Sequence, residues 1–295
     1  MSADIIEQFS KALADRVAAA APLLVAVDAG HRHHSGLLWQ PDVVVTSEQL
    51  LGERTAFTVR RGDTHVAATL AGRDRGTNVA VARLATPLDS TLPAEAAVPR
   101  VGSLALVLGA DEVGMPTGRL GMVLGVGPAW HSLAGGRIDA LLRLDARLGR
   151  DEGGPVLTPD GALLGMSTSG PRRRALVIPT ATIARVVPAL LAEGRVARGW
   201  LGVALQPVAV PESLRAMAGS ESGMMVMTLA KSGPAETAGV LPGDILLAID
   251  GAPMRRMRAV AAALGPECVG KSVSLRLLRA GGLHTLAVTI VARPA

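Results

Sequence analysis

The side chains able to do polar chemistry are few and mostly clustered. Six histidines, His31, His33, His34, His65, His131 and His284, supply the ordinary general bases. Three of them fall in the run His31-Arg32-His33-His34. Alternate imidazoles can hold Zn²⁺ or Ni²⁺ when a strand or turn presents them on one side. This run contains no Cys, Asp or Glu, and Arg32 sets a positive charge beside any cation. It is therefore read as a solvated loop leading to Ser35-Gly36, with His31, His33 and His34 kept as weak metal candidates that only a returning Asp28 would complete. His131 and Ser132 adjoin, but adjacent residues rarely reach nucleophile–base geometry. Cys268 is the single cysteine, so neither an internal disulfide nor a cysteine-only metal site is available. Two further clusters stand out: Asp151-Glu152 before Gly153-Gly154-Pro155, and the basic run Arg172–Arg174 after Gly170-Pro171. No cofactor is expected.

The elements that must position these residues are mostly strands. Residues 1–21 read as a helix, with Asp4 and Glu7 as a capping box, Ile5, Ile6, Phe9, Leu13 and Val17 on one face, and Pro22 as a stop. From Leu23 the period changes to short β-like segments: Leu23–Val27, Gly36–Trp39, Val43–Thr46, Ala56–Arg60, His65–Ala71, Val79–Leu84, Leu104–Leu108, Gly121–Val126, Ala140–Leu144, Val156–Leu157, Leu163–Met166 and Ala175–Ile178. Turn signals separate them, and no long helix intervenes, which predicts antiparallel barrels or a sandwich. Helix returns at Thr180, read as a cap, with Ile183, Val186, Val187, Leu190 and Leu191 on one side, Pro188 inside and Gly194 as the stop. A mixed α/β module follows. Its strands are Leu201–Gln206, Met224–Thr228 and Leu246–Asp250, its helices Pro234–Ala238 and Arg256–Leu264, and its last hairpin turns at Gly281-Gly282. The expected divisions are 1–21, 22–197 and 198–295.

Composition narrows the partners. Of 295 residues 49% are apolar and 19% charged, which excludes a disordered chain. The longest apolar run, Val17 to Val27, falls well short of the ~20 residues that cross a bilayer. Tyr is absent, Phe occurs twice and Trp three times, so the chain has no stacking platform for single-stranded nucleic acid. A net charge of +5 without a recognisable module makes an arginine-rich protein a better reading than a nucleic-acid binder. Asp4 and Glu7 stand where a secretory signal carries positive charge, and the expectation is a cytoplasmic protein.

Together these pieces resemble the HtrA (Deg) family, a trypsin-like double six-stranded β-barrel followed by a mixed α/β PDZ domain. The resemblance is carried by Val177-Ile178-Pro179-Thr180, by Gly194-Arg195-Val196 and by Arg198-Gly199-Trp200-Leu201-Gly202-Val203. It is carried also by Ser232-Gly233-Pro234-Ala235 with Pro242-Gly243-Asp244 and Ile249-Asp250-Gly251, and by Gly153-Gly154-Pro155 with Pro159-Asp160-Gly161. In the family a histidine, an aspartate and a serine form the catalytic triad. By the resemblance, Gln49 in Thr46-Ser47-Glu48-Gln49 stands at the histidine position, Asn78 in Thr77-Asn78-Val79-Ala80 at the aspartate position, and Glu152 at the serine position. Arg150 and Asp151 replace the glycine and asparagine of the oxyanion loop.

The chemistry implied is then subtractive. Acyl transfer needs an oxygen nucleophile, a neutral imidazole to take its proton and a group to orient that imidazole. An amide, a second amide and a carboxylate supply none of these, so no catalytic residue is expected. Glu152 either fills the site of the oxyanion amides or points into solvent. Ser47, Ser132, Ser167, Thr168 and Ser169 are the hydroxyls that a relocated nucleophile would need.

The resemblance leaves the PDZ module as the binding element. It implies a carboxylate loop at Trp200, Leu201, Gly202 and Val203, a peptide-pairing strand Val203–Gln206, and a pocket bordered by Met257, Val260 and Ala261. The ligand expected is a peptide or protein C terminus with an apolar last residue. The resemblance also implies a homo-oligomer, a trimer. Three functions follow in order: a non-catalytic scaffold, regulator or chaperone-like binder; a serine endopeptidase with a rearranged site; and an anion or nucleic-acid binder.

Overall fold

The computed structural model describes residues 3–28, 30, 33–132, 134–170 and 174–294. The expected run His31-Arg32 and the greater part of Arg172–Arg174 lie outside the described residues. By internal contacts the chain divides into two units, one of residues 1–130 and 138–196, the other of residues 131–137 and 197–295.

The first unit opens with helix α1 (Ala3–Ala20). Asp4 lies inside its first turn rather than at the cap, and accepts a hydrogen bond from Gln8 Nε2 (2.9 Å). Leu13 and Val17 pack on buried Leu106, Leu108 and Leu163, while Ile5, Ile6 and Phe9 remain exposed. Six strands follow: β1 (Leu24–Asp28), β2 (His33–Gln40), β3 (Val43–Ser47), β4 (Ala56–Arg61), β5 (Thr64–Asp74) and β6 (Val79–Leu84). They close into an antiparallel barrel in the order β1-β2-β3-β6-β5-β4. Next come β7 (Leu104–Ala110), β8 (Pro116–Gly127), the short pair β9 (Trp130–His131) and β10 (Arg137–Ile138), then β11 (Leu141–Arg147), β12 (Pro155–Leu157), β13 (Leu163–Ser169) and β14 (Arg174–Pro179). A second closed barrel runs β11-β14-β13-β12-β7-β8. Closure removes every exposed sheet edge, which is how many short strands become one stable unit.

Strand alternation explains the packing. In β3, Val44 faces the first barrel's core with Val25, Leu38 and Phe57, whereas Val43 and Val45 turn the other way. These two meet Ile183, Val186, Val187 and Leu190 of helix α2 (Thr180–Glu193). Thr180 is the first helical residue and not the cap; its hydroxyl donates to the Leu163 carbonyl (3.1 Å). Gly194 ends α2 with φ +72°, a left-handed conformation in which its amide reaches Leu190 O (3.1 Å). Strand β8 begins five residues earlier than expected. Asp111 Oδ1 accepts the Val113 and Met115 amides (3.0 and 2.8 Å), and this tight turn lets Pro116–Leu120 pair back along β7.

The second unit contains β15 (Gly199–Trp200), β16 (Val203–Ala209), helix α3 (Glu212–Ala218), β17 (Ser222–Leu229), helix α4 (Pro234–Thr237), β18 (Ile245–Ile249), β19 (Ala252–Pro253), helix α5 (Met257–Ala263), β20 (Ser272–Arg279), β21 (Gly282–Thr289) and β22 (Val291–Ala292). The sheet runs β16-β17-β18-β20-β21, so β16 is an edge strand. Met224, Leu246, Ile249, Val260, Leu275, Leu277 and Ile290 form its core. Arg279 holds the buried Asp244 carboxylate through Nε and Nη2, both at 2.7 Å. Burial opposes ionisation of Asp244, but Arg279 and the Leu241 amide outweigh it and hold the carboxyl below its ordinary range.

Candidate functional site

The loop between β11 and β12 is held by close approaches that only glycine permits. A Cβ at Gly153 (φ +92°) would collide with the Ser35 carbonyl, and one at Gly154 with the Leu108 carbonyl. Ser35 fastens the same loop: its amide donates to Arg150 O and Glu152 O (3.1 and 3.2 Å), and its hydroxyl to Arg150 O (2.8 Å). Arg150 is exposed and has no left-handed φ. Asp151 turns inward to accept the Gly149 amide (2.8 Å) and Arg119 Nε (3.1 Å).

This anchoring points Glu152 into the space between the barrels, where it is 5% exposed. Oε1 accepts from Ser47 Oγ (3.1 Å), Thr168 Oγ1 (3.2 Å), the Ser169 amide (3.0 Å) and Gln49 Nε2. Oε2 accepts from Ser169 Oγ. Asn78 Nδ2 donates to Ser47 Oγ (2.9 Å) and Thr168 Oγ1 (2.6 Å), and Asn78 Oδ1 accepts the Gln49 amide (2.9 Å). Asn78 does this from a left-handed backbone, φ +57°, that Asn tolerates better than most residues. The turn before it is set by Asp74, whose carboxylate accepts the Gly76 and Thr77 amides (both 3.1 Å) and the Thr77 hydroxyl (2.8 Å).

Gln49, Asn78 and Glu152 are thus brought together in one network. Each hydroxyl of Ser47 and Thr168 receives a hydrogen from Asn78 Nδ2 and lies within hydrogen-bond reach of Glu152 Oε1. The carboxylate lies buried in the cleft and not in solvent, so the cleft is filled from within, but it does not take the amides of its own loop; the Glu152 amide instead donates to Gly149 O (3.3 Å). Ser47, Thr168 and Ser169, the hydroxyls that a relocated nucleophile would need, serve here as donors to Glu152. Their polar run at the end of a buried strand was the available signal. Ser167 is used elsewhere, donating to Asp151 O (2.9 Å).

His33 and His34 occupy successive positions of β2, opposite Asp28 and Val27. Successive strand residues face opposite sides, so the two imidazoles do not converge on one ion. His31 lies outside the described residues.

In the second unit, Trp200, Leu201, Gly202 and Val203 line one groove of about 270 Å³ with Met257, Val260 and Ala261. Ala134 and Gly135, which group with this unit, complete its rim. Gly202, with φ +75°, shapes the loop; its carbonyl accepts the Ala230 amide (2.8 Å), and Leu201 O accepts the Ala235 amide (2.9 Å). The Leu201 and Gly202 amides have no acceptor among the described residues. An unpaired strand edge, two free amides and an apolar wall are the parts needed to add a peptide strand and hold its carboxylate. Cys268, nearby in the core, donates its thiol to Gly265 O (2.9 Å); burial pushes that thiol up and keeps it protonated.

Comparison with known proteins agrees with this architecture. Residues 34–166 match the trypsin-like peptidase domain and residues 225–279 the PDZ domain. A protein of Rhizobium meliloti named "Probable periplasmic serine endoprotease DegP-like" is 30% identical over 265 residues, 85% of this chain and 51% of its own length. The like-named protein of Brucella suis is 29% identical over 264 residues, 85% and 50%. The chain spans about half the length of the curated relatives it matches. Among solved structures, "HtrA-type protease AlgW with decapeptide" superposes with a TM-score of 0.75 at 22% identity, covering 96% of this chain and 99% of that one. The serine endoprotease from Yersinia pestis gives 0.72 at 22%, covering 95% and 98%. These relatives overturn the expected cytoplasmic location, because the curated ones are named periplasmic. Two acidic residues in an amphipathic helix and a single cysteine do not report a compartment. Among the described residues no helix is long and apolar enough to cross a membrane. The chain has a trypsin fold of two closed β-barrels followed by a PDZ domain, and at family level it is similar to HtrA/DegP-like proteases.

Proposed function

We propose that this chain is a non-catalytic HtrA-like protein that binds peptides or protein C termini through its PDZ groove and acts as a scaffold, regulator or chaperone-like factor. One observation carries the reading: the Glu152 carboxylate occupies the cleft and takes the hydrogens of Ser47, Gln49, Thr168 and Ser169, with no imidazole among its partners. A buried carboxylate satisfied in this way stabilises the cleft and activates nothing. Arg150 in the oxyanion loop and a Glu152 amide already bonded to Gly149 O also support it. The groove favours a ligand with an apolar last residue, because Met257, Val260, Ala261 and Leu264 form its wall. The exposed Ile5, Ile6 and Phe9 of α1 support a homo-oligomer, a trimer by the family resemblance.

A second reading rests on the hydrogen bond from Ser169 Oγ to Glu152, which is a hydroxyl beside a carboxylate base. One experiment separates the two. The intact chain, Glu152→Ala and Ser169→Ala are treated with a fluorophosphonate probe and with casein. No labelling and no cleavage in any of the three supports the binding protein. Labelling of the intact chain that disappears in Ser169→Ala establishes a rearranged hydrolase.

A further inference from the structure

Around the peptide groove of the second unit the charges are one-sided. Its lining holds two guanidinium groups, Arg198 and Arg293, and no Asp or Glu. Arg293 is brought there by the pairing of β22 with β15, where its amide donates to Arg198 O (2.8 Å). Three more arginines, Arg255, Arg256 and Arg258, stand exposed at the start of α5. The side chains of Arg255, Arg256, Arg258 and Arg293 make no ion pair or hydrogen bond among the described residues. The acids of the unit do not offset them. Asp244 is held by Arg279, Glu236 accepts the Ser232 amide and Asp250 the Ser274 amide. Glu212 belongs to α3, and Glu267 folds over Gly265 beyond the far end of α5. Glu221 borders a separate depression, which it shares with both Arg215 and Arg255.

Chain direction decides which part of a ligand these arginines meet. The Leu264 carbonyl, at the C-terminal end of α5, accepts the Gly199 amide (2.9 Å), so that end lies beside the carboxylate loop. Met257, Val260, Ala261 and Leu264 recur at helical spacing and put one side of α5 against the groove. At a rise of roughly 1.5 Å per residue, Met257 lies about 10 Å from Leu264 along the axis. A peptide paired with the edge strand β16 advances about 3.3 Å per residue, so the residues two to three before its last come level with Arg256 and Arg258. Guanidinium groups without an acceptor of their own favour carboxylate side chains at that point. We infer that the groove selects C termini in which acidic side chains precede an apolar last residue, with Arg256 and Arg258 as the recognising cations. This rests on the peptide-binding reading above and names the ligand class that fits it. Arg198 and Arg293 favour any terminal carboxylate; the arginines at the start of α5 distinguish one sequence from another. Both are exposed, so each charge pair is worth about two- to fivefold in affinity.

The test measures fluorescence anisotropy with the full chain and labelled octapeptides. Each reads GSGS, then EE, QQ or KK, then Ala and a last residue of Val, Leu or Phe. In about 50 mM salt the EE peptides are expected to bind about tenfold tighter than the QQ peptides, and the KK peptides most weakly. In about 1 M salt the gap should close to about twofold, because exposed charges are screened. The double variant Arg256→Gln, Arg258→Gln is expected to lose the preference for EE while binding QQ like the parent, which also shows that it is folded. Arg258→Glu should bind the KK peptides better than the parent does, a gain that misfolding cannot mimic. Equal affinity for EE and QQ, or a preference that survives in the double variant, overturns the inference and leaves the peptide groove standing. No binding of any peptide, or undiminished binding of EE peptides amidated at the C terminus, overturns the groove reading itself and this inference with it.

Discussion

Two buried carboxylates show how differently the barrel unit and the PDZ unit handle charge. In the PDZ unit Asp244 is met by a guanidinium, with Arg279 bonding both carboxylate oxygens at 2.7 Å. In the barrel unit Glu152 has no cation among its hydrogen-bond partners; side-chain hydroxyls, a side-chain amide and a main-chain amide hold it. The first arrangement is a local clamp between neighbouring loops and strands. The second joins elements far apart in sequence, from Ser47 to Ser169, and fills the cleft with the protein's own side chain. The PDZ groove by contrast keeps its edge strand and two loop amides unfilled. A cleft satisfied from within has little left to offer a ligand, whereas a groove with spare donors has much.

The largest effect should come from breaking the clamp. Arg279→Leu leaves Asp244 buried and unpaired, and a loss of about 3–5 kcal/mol is expected in urea unfolding. The sign of its pH dependence follows from the depressed carboxyl of Asp244. The contribution is fully present above the unfolded value, near pH 4, and is lost as pH falls through the lower folded value. The difference between parent and variant should therefore shrink only in acid. A difference that is flat down to about pH 2 would remove the clamp from this comparison.

Glu152→Ala should cost somewhat less, about 3 kcal/mol, because it strands the buried hydroxyls of Ser47 and Thr168 without removing a charge partner. Glu152→Gln should recover only part of that loss, since its NH₂ meets donors. If both variants are as stable as the parent, the cleft is not held by the carboxylate. The smallest effect on stability should come from Ala261→Trp, which fills the groove wall. Binding of a peptide with an apolar C terminus should weaken at least about tenfold, by fluorescence anisotropy, while the unfolding midpoint hardly moves. Full binding by this variant would place the ligand elsewhere.

Much of the frame was legible because it rests on local pattern. The switch from a helical period at α1 to short alternating segments, punctuated by Gly and Pro turns, anticipated all twelve barrel strands. The hairpin at Gly281 and the helices at Thr180 and Met257 were legible for the same reason. Ends were less so: Asp4 and Thr180 have the side chains of caps, yet each lies inside its helix. The pairs β9–β10 and β15–β22, only two residues to a strand, carry too little pattern to be seen in advance.

Sequence by itself determined which residue types stand at the three positions of the cleft, and with them the absence of an imidazole there. Only the tertiary structure decided where Glu152 turns, because its partners at 47 and 49 lie more than a hundred residues from those at 168 and 169, and the folded barrels bring the two pairs together. Composition and spacing register what a segment does with its neighbours in sequence; which donors are left without acceptors depends on contacts that folding alone creates.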